Sequence, residues 1–477
     1  MRRLSLSFVA VLMLAGCGSD SSSNPGTGGS TGSDPLSEVV KRKAPGGGCQ
    51  IDCGPTTEEF FDNGKLASLK LTFDPADLKA LGYDEDKWLD LLWDQWKVCN
   101  SNPVWLPAKL EYASPDGKGD VVMERVGVRL RGSKSRGKNR VQGMKIEFQK
   151  MVPSSADDAE RRFADLKQIN LLSVEADSSI MLQCMSYKLM RDLGVKAPRC
   201  NHLDVFINGE HYGLMQSVEK TNDTRFLKHQ YGDKDGHLYG ASTSCTLDAY
   251  KASLEYDGDT FTGSYQKAYE ILRGDVGTAE KDLIPMFKCG DATTTPDDEE
   301  FKTCISDWID VDEWLRVIAG ESLISSLESL VGARRNAYLY FLPDAAAPHG
   351  GRMMIWGWDY DTGMQRTSCT NPYKAGGVGC DPFTSVAGWF DLPGLRPELV
   401  TRLTNVFKPE YCAIMQSFLS DQYKPVLVDE MAALIEPVMK DSVSPSYAEW
   451  QTEVARMRTY VENQLVAQQA LIDTACK

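Results

Sequence analysis

The chain carries no lysine- or arginine-rich block and no basic tail, and its formal charge is −15 over 477 residues. Nucleic-acid phosphates are held by positive faces, so nucleic acid is excluded as a partner. Histidine is scarce: His202, His211, His229, His237 and His349 are the five present, and they are dispersed. The closest cysteine spacing, Cys49 to Cys53, leaves three residues between the two. A structural zinc site wants tighter cysteine pairs with ligands nearby, so zinc does not account for the cysteines. Beyond the first 14 residues no apolar run is long enough to cross a bilayer of about 30 Å.

What is present begins with an export signal. Arg2 and Arg3 precede the apolar run Leu4 to Leu14, which is too short to span and closes in Leu14-Ala15-Gly16-Cys17. That ending resembles a bacterial lipobox, which implies cleavage before Cys17 and lipid on this cysteine, anchoring the mature protein to a membrane. Gly18 stands where an inner-membrane retention signal would place Asp, which points to the outer membrane or cell surface of the envelope. Setting Cys17 aside leaves twelve of thirteen cysteines, an even number suited to disulfides in an oxidising compartment. Cys369 with Cys380, closing a Gly-rich loop, is the local pair expected first.

Residues 18–48 are poor in large apolar side chains and rich in Gly, Ser and Pro. Such a segment buries too little to offset its ordering entropy and reads as a flexible tether. From residue 49 to 477 the composition is that of a folded region. LASLKLTFDP (66–75), VMERVGVRLRG (122–132) and GMKIEFQK (143–150) read as strands, the last with a period of two. Residues 175–195 combine an acidic, serine-rich start with helical apolar spacing and Gly194 as a stop. Asn208-Gly209 marks a hairpin turn. Residues 305–330 read as one long helix, AYLYF and MMIWGW as two more strands, and 395–476 as helices with proline breaks. The fold class expected is α+β, with an antiparallel sheet in the N-terminal part and a mostly helical C-terminal part.

The stretch RMMIWGWDYDTGM (352–364) ends an apolar run with Asp359 and Asp361. Either Asp361-Thr362-Gly363 is plain turn chemistry, or the two carboxylates hold a metal. Residues i and i+2 of an extended strand share a face, so both side chains would reach one ion. In MKIEF, Met144, Ile146 and Phe148 take one face and Lys145 and Glu147 the other, which by pattern alone is a solvated strand face. Trp356, Trp358, Tyr338 and Tyr340 read as core aromatics, with an adenine contact as the alternative for one of them.

Five blocks in order, RLRGSKSRGKNRVQGMKIEF (129–148), INLLSVEADSSIMLQCMSYKLMRDLGVKAPRC (169–200), VFINGEHYGLMQSVEKTNDTRFL (205–227), IDVDEWLRVIAGESLISSLESLVGARRNAYLYF (309–341) and IWGWDYDTGM (355–364), resemble the CotH kinase family. The resemblance covers roughly residues 65–410. It implies an atypical protein-kinase-like, two-lobed fold, with an N-lobe at about 60–240 and a C-lobe at about 241–477. It also implies ATP with Mg²⁺ or Mn²⁺, and phosphoryl transfer to Ser or Thr of a protein acceptor. Such transfer needs cations at the phosphates and oxygen ligands for the metal. On that resemblance Asp359 and Asp361 are metal ligands, with Asn336 either a third or a helix-to-strand cap. Lys145 and Arg131 face the phosphates. Gly132, Ser133 and Ser135 would line a phosphate loop, although RGSKSRG lacks the GxGxxG form. Glu219 either orients Lys145 through an ion pair or caps the next segment. Asp359 and Glu328 are the catalytic candidates. Where the family has Asp, this chain has Glu328, and a carboxylate displaced by about 1 Å costs on the order of a hundredfold in rate. A non-catalytic, kinase-like surface lipoprotein is therefore the alternative function.

Overall fold

Alternation decides the N-terminal half. A computed structural model describes residues 52–62, 64–84, 86–94, 105–131, 141–151, 160–172, 177–241, 254–326, 329–331, 336–364, 397–442 and 444–477. Strands β1 (Asp52–Cys53) and β6 (Arg162–Phe163) form a short parallel pair. Seven others close into a barrel in the order β2-β3-β4-β5-β7-β9-β8. They are β2 (Ala67–Phe73), β3 (Leu106–Ala113), β4 (Val121–Leu130), β5 (Met144–Glu147), β7 (Gln168–Leu171), β8 (Cys200–Ile207) and β9 (Glu210–Val218).

The expected antiparallel sheet is thus corrected in one respect. Six successive strand pairings run antiparallel, but β2 also pairs parallel with β8, from Ala67–Leu203 to Leu71–Ile207. Two edges that would otherwise expose unpaired backbone groups satisfy each other. Every second residue points inward: Val128, Ile146 and Ile169 share one register row and are all buried. Burying each such side chain contributes about 1.5–3 kcal/mol. The opposite row, Arg129–Lys145–Asn170–Val218–Cys200, lies outside the barrel. The turn between β8 and β9 is built by Asn208 and Gly209, both left-handed at φ 51° and 85°, as the Asn-Gly pair predicts.

A second, antiparallel sheet runs β11-β10-β12-β13, with β10 (His237–Ala241), β11 (Tyr269–Arg273), β12 (Ala337–Pro343) and β13 (Gly351–Gly357). Because β10 pairs with β12, the chain on the two sides of residue 240 shares one sheet. One face of the β12–β13 hairpin presents Tyr338, Tyr340, Trp356 and Trp358 to the helix Thr224–Tyr231. The helix Val311–Ile324 lies against β13, where Trp314 Nε1 donates to the Met353 carbonyl at 2.8 Å.

The stretch 305–330 is not one helix. The helix Asp298–Trp308 ends at Ile309, and Asp310 starts Val311–Ile324 by accepting from the Glu313 N–H at 3.0 Å. An aspartate at a helix start satisfies an orphan donor, and that local gain breaks the continuous apolar pattern in two. From residue 397 the chain is helical, and Pro397, Pro409 and Pro425 sit at helix starts where no amide donor is needed. Among the described residues no helix is long and apolar enough to cross a membrane. All seven described cysteines are disulfide-bonded, three of the pairs being Cys184–Cys200, Cys289–Cys304 and Cys412–Cys476. Cys17, Cys369 and Cys380 lie outside the described residues.

Candidate active site

The helix Leu182–Asp192 joins the barrel to the helical half. Its start is organised by Asp177, which accepts from the Leu182 N–H (2.8 Å), the Ser179 N–H (2.9 Å) and Gln216 Nε2 (2.9 Å). Burial raises the Asp177 pKa against the pull of these donors. Gly194, at φ 87°, ends the helix in a left-handed turn, with Val195 N–H donating to the Met190 carbonyl at 2.9 Å. Its apolar face packs on Val311–Ile324 on one side, and Cys184 is bonded to Cys200 of β8 on the other.

Two polar side chains on this helix hold Asp359. Gln183 Nε2 donates to Asp359 Oδ1 at 3.0 Å, Tyr187 OH donates to Gln183 Oε1 at 2.8 Å, and the Asp359 N–H donates back to the Tyr187 oxygen at 2.9 Å. The three residues close a buried cycle. Burial, then the Asp359 charge, hold the Tyr187 pKa well above its ordinary value, so it stays a donor. The charges of Arg131, which lowers that pKa, and Asp361, which raises it, also act on Tyr187.

The expectation that Asp359 and Asp361 share a strand face does not hold. β13 stops at Gly357, and Asp359 takes a left-handed backbone at φ 61°. Aspartate tolerates that conformation better than most residues, and it aims the Asp359 N–H at Tyr187. Asp361 then lies in a turn closed by Gly363 N–H to the Tyr360 carbonyl at 3.0 Å. Tyr360, between the two aspartates, donates to Glu321 Oε1 at 3.0 Å, while Glu321 Oε2 accepts from the Val331 N–H.

Asp359 lines a cleft with Arg131, Asn170, Gln183, Tyr187, Glu219 and Trp358. Asn336 sits at the same end of the hairpin, left-handed at φ 56°, its carbonyl accepting from the Trp358 N–H at 2.9 Å. Lys145 is one strand away from the cleft wall, beside Asn170 in register, 4.0 Å from Glu147 and 5.6 Å from the centre of the Trp105 ring. Arg129 and Lys150 approach the same ring at 5.1 and 5.5 Å. Glu219 does not pair with Lys145. Its carboxylate is taken by Arg199, through Nη2 at 2.6 Å and Nε at 3.0 Å. Glu328, Gly132, Ser133 and Ser135 lie outside the described residues.

The donor set suits a hard cation. Asp359 Oδ1 is engaged by Gln183, and Oδ2 accepts no hydrogen bond from the described residues. Mg²⁺ takes one or two carboxylates and completes its shell with phosphate and water. In the same wall Trp358 Nε1 is a buried donor without a partner among the described residues. A ligand acceptor or water there would satisfy a group that otherwise costs about 1–3 kcal/mol. Trp358 is also stacked on Tyr338, with ring centres 5.9 Å apart.

A family model for the CotH kinase protein matches residues 128–467, well over half of the chain. The chain belongs to this family. Inner spore coat protein H of Bacillus subtilis (strain 168) is 25% identical over 201 residues, covering 42% of this chain and 51% of that protein. The match therefore spans about half the length of that CotH relative. Gln183, Tyr187, Arg199 and Asn170 were not singled out from the sequence. Gln183 carried a signal: it is a long polar residue set between the apolar Leu182 and Cys184 at the start of the helix.

Proposed function

We propose that the protein binds ATP with Mg²⁺ or Mn²⁺ at the Asp359 cleft and transfers the γ-phosphoryl group to Ser or Thr of an exported protein. In this reading the barrel and the helical half are the two lobes of a kinase-like fold, spanning about 60–240 and 241–477, with the cleft between them. Lipid on Cys17 holds the domain at the cell envelope, in keeping with a coat protein among the family's members.

The observation that carries the reading is the Asp359 carboxylate. One oxygen is fixed by Gln183 and the other is open to the cleft that Arg131 and the orphan Trp358 donor also line. A bound divalent ion there would bridge phosphate oxygens and offset charge developing in the transfer. The residues' own part is to hold that carboxylate still. The Gln183–Tyr187 cycle does so from a helix stapled to the barrel, and the Glu321–Tyr360 bond braces the following residue. Arg131 supplies positive charge, and Asn336 and Asp361 stand at the same end of the hairpin as further oxygen donors.

A second reading, a non-catalytic binding lipoprotein on a kinase-like scaffold, is favoured by one observation. The cleft encloses about 60 Å³, well below the roughly 300–1,000 Å³ of ligand pockets. A nucleotide would have to part its walls. Melting curves with and without Mg-ATP separate the two. The first reading expects a rise that grows as RT ln(1 + [L]/Kd) and is lost in Asp359→Ala. No rise in the parent, with no γ-phosphate transferred to any added protein, leaves the second.

A further inference from the structure

A second cavity, of about 390 Å³, shares no lining residue with the Asp359 cleft. That volume falls within the roughly 300–1,000 Å³ of small-ligand pockets. Local rules build its walls. Gly54 turns the chain after β1 at φ 89°, where an added side chain would strike the Phe163 ring, and Thr57 Oγ1 then donates to the Ala164 carbonyl at 2.7 Å. The helix Thr224–Tyr231 supplies another wall. Asp223 starts it by accepting from the Arg225 N–H at 3.0 Å, and Arg225 and His229, four apart, share the face that lines the cavity.

Two groups on these walls are left half-used. Arg225 reaches Asp165 through Nη2 at 3.4 Å, but its Nη1 is buried and has no partner among the described residues. Glu58 is the complement. Its Oε1 accepts from Arg199 Nη1 at 2.9 Å and lies 4.0 Å from His229 Nδ1, whereas Oε2 accepts no hydrogen bond from the described residues. Asp165 has a second cation in Arg162, at 3.6 Å. Each carboxylate of the wall is thus matched by positive charge, and what remains open is one donor, one acceptor and the far nitrogen of His229.

That remainder selects the chemistry of the occupant. An anion, a nucleotide phosphate included, would enter beside the carboxylates of Glu58 and Asp165. A cation would find both carboxylates already paired and would leave the Arg225 donor unsatisfied. A neutral group that both accepts and donates meets both demands, taking a hydrogen bond from Arg225 Nη1 and giving one to Glu58 Oε2. Neighbouring hydroxyls on a sugar ring do this, and a neutral imidazole serves such hydroxyls as donor or acceptor. Pro55 and Leu166 add apolar surface for the C–H face of the ring. We propose that this cavity is a binding site for a neutral saccharide, held by Arg225, Glu58 and His229. The proposal goes beyond the kinase reading and does not rest on it.

The test titrates the full-length protein, in a sugar-free detergent, with maltose, cellobiose, diacetylchitobiose and the methyl glycosides of mannose and galactose. Saturation-transfer NMR and melting curves are the readouts, with sodium phosphate as the anionic control. At least one of these sugars is expected to bind and to raise the melting temperature as RT ln(1 + [L]/Kd). Arg225→Met removes a charged donor and should weaken that binding about tenfold or more, and His229→Ala about threefold. Asp359→Ala should bind as the parent does. His229 is exposed, and a surface substitution of this kind leaves the fold in place, so it decides the matter should Arg225→Met prove unstable. The proposal is overturned by a panel in which no sugar binds, by parent-like binding in the Arg225 and His229 variants, by binding lost in Asp359→Ala, or by phosphate displacing the sugar. Each of these leaves the Mg-ATP shift, which reads the other cleft, as a separate measurement.

Discussion

Replacing Tyr187 by Phe removes one oxygen from the centre of the site and nothing else. The hydroxyl donates to Gln183 Oε1 and accepts from the Asp359 N–H, and the residue is about 1% exposed. Without it both partners are buried without that bond. An orphaned buried group costs about 1–3 kcal/mol, and Gln183 can recover part of its share by turning its amide, so a loss of roughly 2–4 kcal/mol is expected. For a domain of this size that lowers the melting temperature by several degrees, and urea unfolding of parent and variant at equal m-value measures it. A second readout concerns function. With its N–H no longer held, Asp359 loses the backbone restraint that fixes its left-handed turn, and the Mg-ATP melting shift should shrink while added Mn²⁺ restores part of it. A stability change below about 0.5 kcal/mol would refute the buried cycle. An unchanged Mg-ATP shift beside a large stability loss would show that the cycle supports the fold alone.

Two further outcomes follow from buried charge. Arg199→Met leaves Glu219 buried with its bidentate partner gone, and about 3 kcal/mol of destabilisation is expected by denaturant titration; Arg199→Met with Glu219→Leu should regain most of it. Glu313 is pushed up to about 7 by burial, against a Tyr231 hydroxyl that donates to it at 3.0 Å. The folded state then holds a proton that the unfolded chain releases near pH 4.5, so stability falls as pH rises from about 4.5 to 7 and levels off above. The loss is on the order of 3 kcal/mol, and Glu313→Gln should flatten the pH profile of the melting temperature over that window. A profile identical in parent and variant would place Glu313 in contact with solvent.

Much of the architecture was readable because it rests on local rules. The alternation in GMKIEFQK put Lys145 and Glu147 on one face and Met144 and Ile146 on the other, as β5 shows. Asn208-Gly209 and Gly194 acted as turn and stop for the steric reason that predicts them. What could not be read was long-range. The β2–β8 pairing joins residues about 135 apart, and no periodicity distinguishes a strand that meets a parallel partner from one that ends a sheet. The carboxylate pair misled for a related reason: two residues apart suggests one face only while the strand continues, and the strand stops at Gly357, where its pairing with Ala337 ends, while Tyr187, 172 positions earlier, takes the Asp359 N–H. The Arg199–Glu219 pair was hidden likewise, since Lys145 and Arg199 are equally plausible cations until the register of β9 is known.

The Cys184–Cys200 bond ties the helix bearing Gln183 and Tyr187 to the barrel strand beneath it across a separation of 16 residues. Closing a loop of that size in the unfolded chain is worth about 3 kcal/mol. With the bond reduced, the helix is held by packing and by its hydrogen bonds to Asp177 and Asp359. Oxidation of this one pair therefore tightens the Asp359 clamp, because it fixes the helix that carries Gln183 and Tyr187 against the barrel.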